Sequence, residues 1–313
     1  MDCAAIAAHP LPNLKDAMNT NLSSPTNPAT TTSAAGSRKR HALLISAALA
    51  TAGVTAIAAP AVTAVASPAA TAATSPSQPA GLSHVSLKVR SPRPGQIVTA
   101  TSLPITVYAN GYKLDSFYAG TPVSSRIGHY HEILDGHLVD MAPLHDPNHD
   151  AISMVGVTPG PHTLTLVPAN NDHTMVMSAA VNIPFTYAGA YLPEPAGLSG
   201  TPGVSITAPA NGATVSGNSF TMNADITNFG QCLECFGKAN VAGEGHWHIF
   251  VDAPVMAKMV TMASGPSQEV PIKGVPTGWH TFYAVLVGND HMPIMPMTMT
   301  SVKLYVVHPL EDQ

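Results

Sequence analysis

Eight histidines recur in two matched sets. The first set is His129 and His131 in G-H-Y-H-E-I-L-D, His162 in P-G-P-H-T and His173 in N-D-H. The second is His246 and His248 in G-H-W-H-I-F-V-D, His280 in T-G-W-H-T and His291 in N-D-H. The sets are offset by 117 residues at the H-x-H motif and by 118 at the two later histidines, the spacing of a tandem duplication. Imidazole is the commonest side-chain ligand for borderline metals such as zinc and copper. Two imidazoles at positions i and i+2 of a strand lie on one face and can hold one ion. All eight are therefore candidate metal ligands. The competing reading makes them surface or structural polar groups inherited together.

Other residues bear on the metal. Asp172 and Asp290 precede the last histidines and could bind an ion or orient an imidazole. Asp135 and Asp252 suit turn-capping roles better than ligation. His137, His145 and His149 crowd one loop of the first copy, which either extends that site or is solvated. Met295, Met297 and Met299 alternate along one strand, with Met175 and Met177 after His173. Thioether beside imidazole is a copper preference, but methionine also serves as an apolar gap filler. Cys232 and Cys235 form a C-L-E-C pair in the second copy alone. That restriction points to a small disulfide loop rather than to shared ligands.

These groups must be positioned by strands. Only 10% of residues are charged and 5% aromatic, while 24 Gly and 29 Pro punctuate the chain. No 3.6-residue apolar period follows Gly81, and short alternating runs end in Gly, Pro and Asn. The fold class is all-β: two tandem immunoglobulin-like β-sandwiches at residues 82–187 and 204–308, joined by a linker at 188–203. In the second H-x-H strand Trp247, Ile249 and Val251 should face the core, with His246 and His248 opposite. The first copy would place Tyr130, Glu132 and Leu134 inward. Glu132 spoils that face, so it either lies at a sheet end or serves the site.

Residues 1–81 are of different material. A Ser/Thr/Pro/Ala-rich stretch reads as disordered. Arg38, Lys39 and Arg40 then precede an apolar segment at 42–66, the order of a secretory signal. The segment is also long enough for a membrane anchor, although Pro60 interrupts it. A flexible tether follows. An exported, cell-surface or periplasmic location is expected, as secreted or anchored protein. The net charge of −5 and the lack of a Lys/Arg stripe exclude a nucleic-acid partner. No protein partner is legible.

The set G-H-x-H-x-x-x-D, P-G-x-H-T-L and D-H resembles a family of small exported bacterial domains with a His-rich strand. The resemblance covers both copies through these short motifs, implies an exported β-domain and carries no established activity. Thr277-Gly278-Trp279 replaces the Pro-Gly start in the second copy. G-H-Y-H-E is also similar to a stretch of copper/zinc superoxide dismutases, whose glycine-rich zinc loop is not evident, so that activity does not transfer.

Three functions compete: an exported protein that binds copper or zinc for buffering or delivery; a copper redox or zinc hydrolytic enzyme; and a non-catalytic surface or adhesive module. No G-x-S-x-G or H-E-x-x-H motif supports catalysis, and no catalytic residue is assigned.

Overall fold

The computed structural model describes residues 81–308. The segment expected to be a signal or anchor, at 42–66, lies outside the described residues. Among the described residues no helix is long and apolar enough to cross a membrane.

Repeat one contains β1 (Ser86–Ser91), β2 (Gln96–Val98), β3 (Ser102–Asn110), β4 (Lys113–Leu114), β5 (Ile127–Leu134), β6 (His137–Met141), β7 (His149–Ser153), β8 (Gly160–Ala169) and β9 (Val181–Tyr187). Repeat two repeats the series with β10 (Gly203–Ala208), β11 (Thr214–Ser216), β12 (Ser219–Thr227), β13 (Gly230–Gln231), β14 (Glu244–Val251), β15 (Met259–Ala263), β16 (Ser267–Pro271), β17 (Gly278–Val287) and β18 (Met299–Val307). The protein is thus all-β, built as two sandwich-like halves.

Each half pairs a three-stranded sheet with a six-stranded one. In repeat one the small sheet runs β1-β3-β7, and the large one runs β2-β9-β8-β5-β4 with β6 also on β5. Repeat two has β10-β12-β16 facing β11-β18-β17-β14-β13, with β15 on β14. Side chains alternate across each strand, so one set fills the space between the sheets. Leu103, Ile105 and Ile152 from the small sheet meet Tyr130, Leu164, Leu166 and Phe185 from the large one. Met222 and Val270 meet Trp247, Ile249, Phe282 and Leu304 in repeat two. Each buried side chain of this size stabilises by about 1.5–3 kcal/mol.

A third apolar layer forms where the large sheets of the two repeats meet back to back. It contains Ala119 and Met141 from repeat one, with Phe236, Phe250, Met259, Met262, Val285 and Val287 from repeat two. This layer holds the sites, because it covers the sheet faces that carry the H-x-H pairs.

Candidate metal centres

The β14 pattern places Trp247, Ile249 and Val251 in the sandwich core and leaves His246 and His248 on the opposite face. The first repeat packs on that face, so the two imidazoles are 0% and 1% exposed. In repeat one Tyr130 and Leu134 face the core of β5, and His129 and His131 turn to the covered side. Gly128 and Gly245 open the two motifs because a Cβ at either would collide with the Ala169 or Val287 carbonyl on the neighbouring strand.

The third histidine arrives on a tight turn just past the end of the adjacent strand. His129 pairs with Ala169, the last residue of β8, and His246 pairs with Val287, the last of β17. Four residues later His173 and His291 fold back, with backbone φ of 65° and 64°. Their backbone N–H groups donate to the carbonyls of Asn170 and Gly288. A left-handed conformation is costly for a residue with a Cβ and persists where surrounding contacts enforce it. The Asp172 and Asp290 carboxylates accept from the N–H of Thr174 and Met292. They shape the turn and are not among the clustered ligands.

Three nitrogens converge in each repeat. His129 Nε2 lies 3.0 Å from His131 Nε2, and both lie 3.2 Å from His173 Nδ1. In repeat two His246 Nε2 lies 3.0 Å from His248 Nε2, with His291 Nδ1 at 3.1 and 3.2 Å. Each triad can bind a metal ion. Nitrogens at this separation, bonded at the roughly 2.0–2.1 Å of a metal–imidazole bond, subtend about 100° at the ion. The three nitrogens of each triad would together hold one ion. The donor set contains no carboxylate, unlike a dedicated calcium or magnesium site, and imidazole nitrogens suit transition metals.

Burial keeps these rings in their metal-competent neutral form. Desolvation pushes His131 down to about 3, with His173 and His291 adding to the effect. It lowers His291 to about 4 and holds His129, His246 and His248 well below the ordinary imidazole range. The Nδ1 atoms of His129 and His246 are buried without a hydrogen-bond partner.

His162 and His280, matched as well as the others in sequence, stand elsewhere. His162 Nδ1 lies 2.6 Å from Asp135 Oδ2, and its Nε2–H donates to the Thr158 carbonyl at 2.7 Å. His280 does the same with Asp252 and the Pro276 carbonyl, each at 2.9 Å. Both ring nitrogens face oxygens, so neither ring offers a lone pair to an ion. The Asp135 and Asp252 carboxylates also accept from the N–H of Thr163 and Thr281. This is a strand-to-strand brace. Its retention in both copies comes from the turn it closes, where Asp135 and Asp252 themselves have positive φ.

The remaining candidates separate likewise. His145 pairs with Glu269 and His149 with Asp146, all near the surface, so this loop does not extend the triad. Met295, Met297 and Met299 are neither core fillers nor close partners of the triad; they are exposed, Met295 at 84%. Cys232 and Cys235 are joined in a disulfide, which removes their thiolates as ligands. Glu132 is at neither a sheet end nor the metal centre. It is buried on the sandwich side of β5.

Three contributors were not singled out from sequence. Met141 pairs with His131 and Met262 with His248 across antiparallel strands, so thioether and imidazole share a face. Both methionines are buried in the layer between the repeats. Phe236 lies over the His246 ring, with centroids 3.9 Å apart. The register of β6 and β15 on the H-x-H strands was the missing signal.

No protein-family model matches the chain, and no curated protein matches it. Among solved structures it is similar to the fibronectin(III)-like modules of Clostridium thermocellum CbhA, at 16% identity over 72% of this chain and 97% of that one, with a TM-score of 0.25. The central fibronectin-III array of RIM-binding protein follows at 10% identity, 74% and 69% coverage and a TM-score of 0.20. A tetra-tandem repeat in the extending region of a large adhesion protein matches at 13% identity, 72% and 49% coverage and a TM-score of 0.21. These likenesses carry no chemistry to this chain.

Proposed function

We propose that this protein is an exported metal-binding protein that holds one copper or zinc ion per repeat, for buffering or delivery. The observation that carries the reading is the meeting of three buried imidazole nitrogens within 3.2 Å, twice, in the same arrangement. Burying six imidazoles against one another has no advantage for an apolar interface, because unpaired buried polar atoms cost about 1–3 kcal/mol each. A bound cation satisfies three lone pairs at once.

Copper is favoured over zinc by Met141 and Met262, whose soft thioethers share the face of the triads. Export is supported by the signal-like order of residues 38–66. Burial of the triads favours storage or transfer over catalysis, since an enzyme needs its substrate to reach the metal.

The test is metal analysis of the purified chain, before and after reconstitution with Cu(I) and Zn²⁺. Two ions per chain, with Cu(I) displacing Zn²⁺, are expected. No retained metal and no affinity on reconstitution would remove the reading.

A further inference from the structure

The two triads are joined through hydrogen bonds that cross from one repeat to the other. His173 offers Nδ1 to its own triad. Its other ring nitrogen, Nε2–H, donates at 2.7 Å to the carbonyl of Met259, in repeat two. His291 offers Nδ1 to the second triad and donates Nε2–H at 2.8 Å to the carbonyl of Leu138, in repeat one. Leu138 pairs with Ile133 and Met259 with Phe250. Ile133 and Phe250 each stand two residues beyond the second ligand of their strand. The two carbonyls therefore occupy matching places, and the contact is reciprocal, as in a two-fold interface.

Each acceptor carbonyl is also packed by a glycine of the opposite repeat. A Cβ on Gly120 would stand 2.7 Å from the Met259 oxygen, and one on Gly237 would collide with the Leu138 oxygen. Gly120 N–H donates to the Asn171 carbonyl and Gly237 N–H to that of Asn289, each at 2.7 Å. Asn171 and Asn289 lie two residues before the third ligand. Glycine, ligand turn and foreign carbonyl thus form one bracket at each site.

The geometry points to a reciprocal lock: the carbonyls of Leu138 and Met259 fix the tautomer and aim of the other repeat's third ligand, so docking of the repeats and metal binding are one linked equilibrium. The inference rests on the triads being metal sites. An N–H committed to a carbonyl leaves the other ring nitrogen as the lone pair, which is how an outer partner orients a ligating histidine. Anything that binds the docked form alone stabilises docking.

The test uses the full chain with Gly120→Ala and, as control, Gly95→Ala. Both glycines have left-handed φ, +74° and +76°, but nothing lies within 4 Å of a Cβ at Gly95. Nitrogen NMR of the metal-free protein should show His173 and His291 as Nε2–H tautomers protected from exchange. Gly120→Ala should scramble His173, and Gly95→Ala should not. With the second triad removed by His246→Ala and His248→Ala, Gly120→Ala should weaken Zn²⁺ binding about 10- to 100-fold, and Gly95→Ala should leave it unchanged. Equal effects of the two glycine variants, or none from Gly120→Ala, would overturn the lock. A scrambled tautomer in a chain that binds no metal would keep the lock and discard the metal reading. If Gly120→Ala fails to fold, fast exchange of the His173 ring N–H in the unaltered chain still overturns it.

Discussion

Repeat one and repeat two hold the same triad in different scaffolds. Both keep the two strand imidazoles, the left-handed third histidine, the glycine bracket and the bond to the other repeat's carbonyl. Around these, several neighbouring residues differ. Ala119 of repeat one stands where Phe236 covers His246 in repeat two. Asp115 of repeat one, bonded to Lys113 and Lys273, stands where Cys232 forms its disulfide with Cys235. Repeat one also buries Glu132 beside Asp140 and Asp150, where repeat two has Ile249, Thr261 and Gln268. The last two are joined by a hydrogen bond of 3.4 Å. The difference separates what the site requires from what merely supports it.

The largest effect should come from the shared part. His129→Ala with His131→Ala should remove one ion from the chain and leave the repeat-two ion in place, and His246→Ala with His248→Ala should do the converse. Metal content per chain by mass spectrometry under native conditions checks both. Loss of both ions from either double variant would mean that the two sites fill only as a coupled pair.

The acidic trio of repeat one should show the next largest effect. Both carboxyl oxygens of Glu132 are buried with no hydrogen bond of good geometry, although Asp150 and Tyr130 stand close enough to act on them. Burial, with the charges of Asp150 and Asp140, holds its carboxyl well above the usual range. Asp140 is pushed up to about 7 by burial and by Asp150. Importing the repeat-two solution with Glu132→Ile removes an unsatisfied group and should stabilise the fold by about 1–3 kcal/mol. Thermal unfolding of the metal-free chain reads this, and a lower midpoint would show that the carboxyl is satisfied by Asp150 or Tyr130.

The comparison also explains what was legible in the sequence. Alternation in Trp247-His248-Ile249 separated core face from histidine face, because a strand has a strict period of two. The duplication exposed the third ligand, since His173 and His291 matched at long range. What covers the histidine face was not legible. The apolar layer of Met141, Phe236, Phe250 and Met259 draws on scattered positions with no period of their own, and they acquire meaning only when two repeats dock. His162 and His280 misled for a related reason: duplication preserves a turn brace as faithfully as a ligand, and only the Asp135 and Asp252 oxygens on their rings distinguish the two.

The disulfide of repeat two has a smaller expected effect. It closes a loop spanning a sequence separation of 3, so constraint of the unfolded chain accounts for about 2 kcal/mol at most. Its neighbour Phe236 lies on His246. Cys232→Ala with Cys235→Ala should therefore lower repeat-two metal affinity while leaving repeat one untouched, in chains that each carry one intact triad. Equal weakening of both sites would show that the loop acts through the docked interface instead.

The smallest effect should fall on the brace. His162→Ala and His280→Ala each remove a ring that ties a left-handed aspartate to a carbonyl across a strand end. The aspartates are 45% exposed, so water replaces part of what is lost, and the cost per site should be about 1 kcal/mol. Both variants should retain two ions per chain. This outcome separates the two histidine classes most sharply, since all eight rings looked alike by spacing. A lost ion in His280→Ala but not in His162→Ala would mean that the brace holds the repeat-two centre in shape through the strand it closes, and that the divergence between the scaffolds reaches the centre itself.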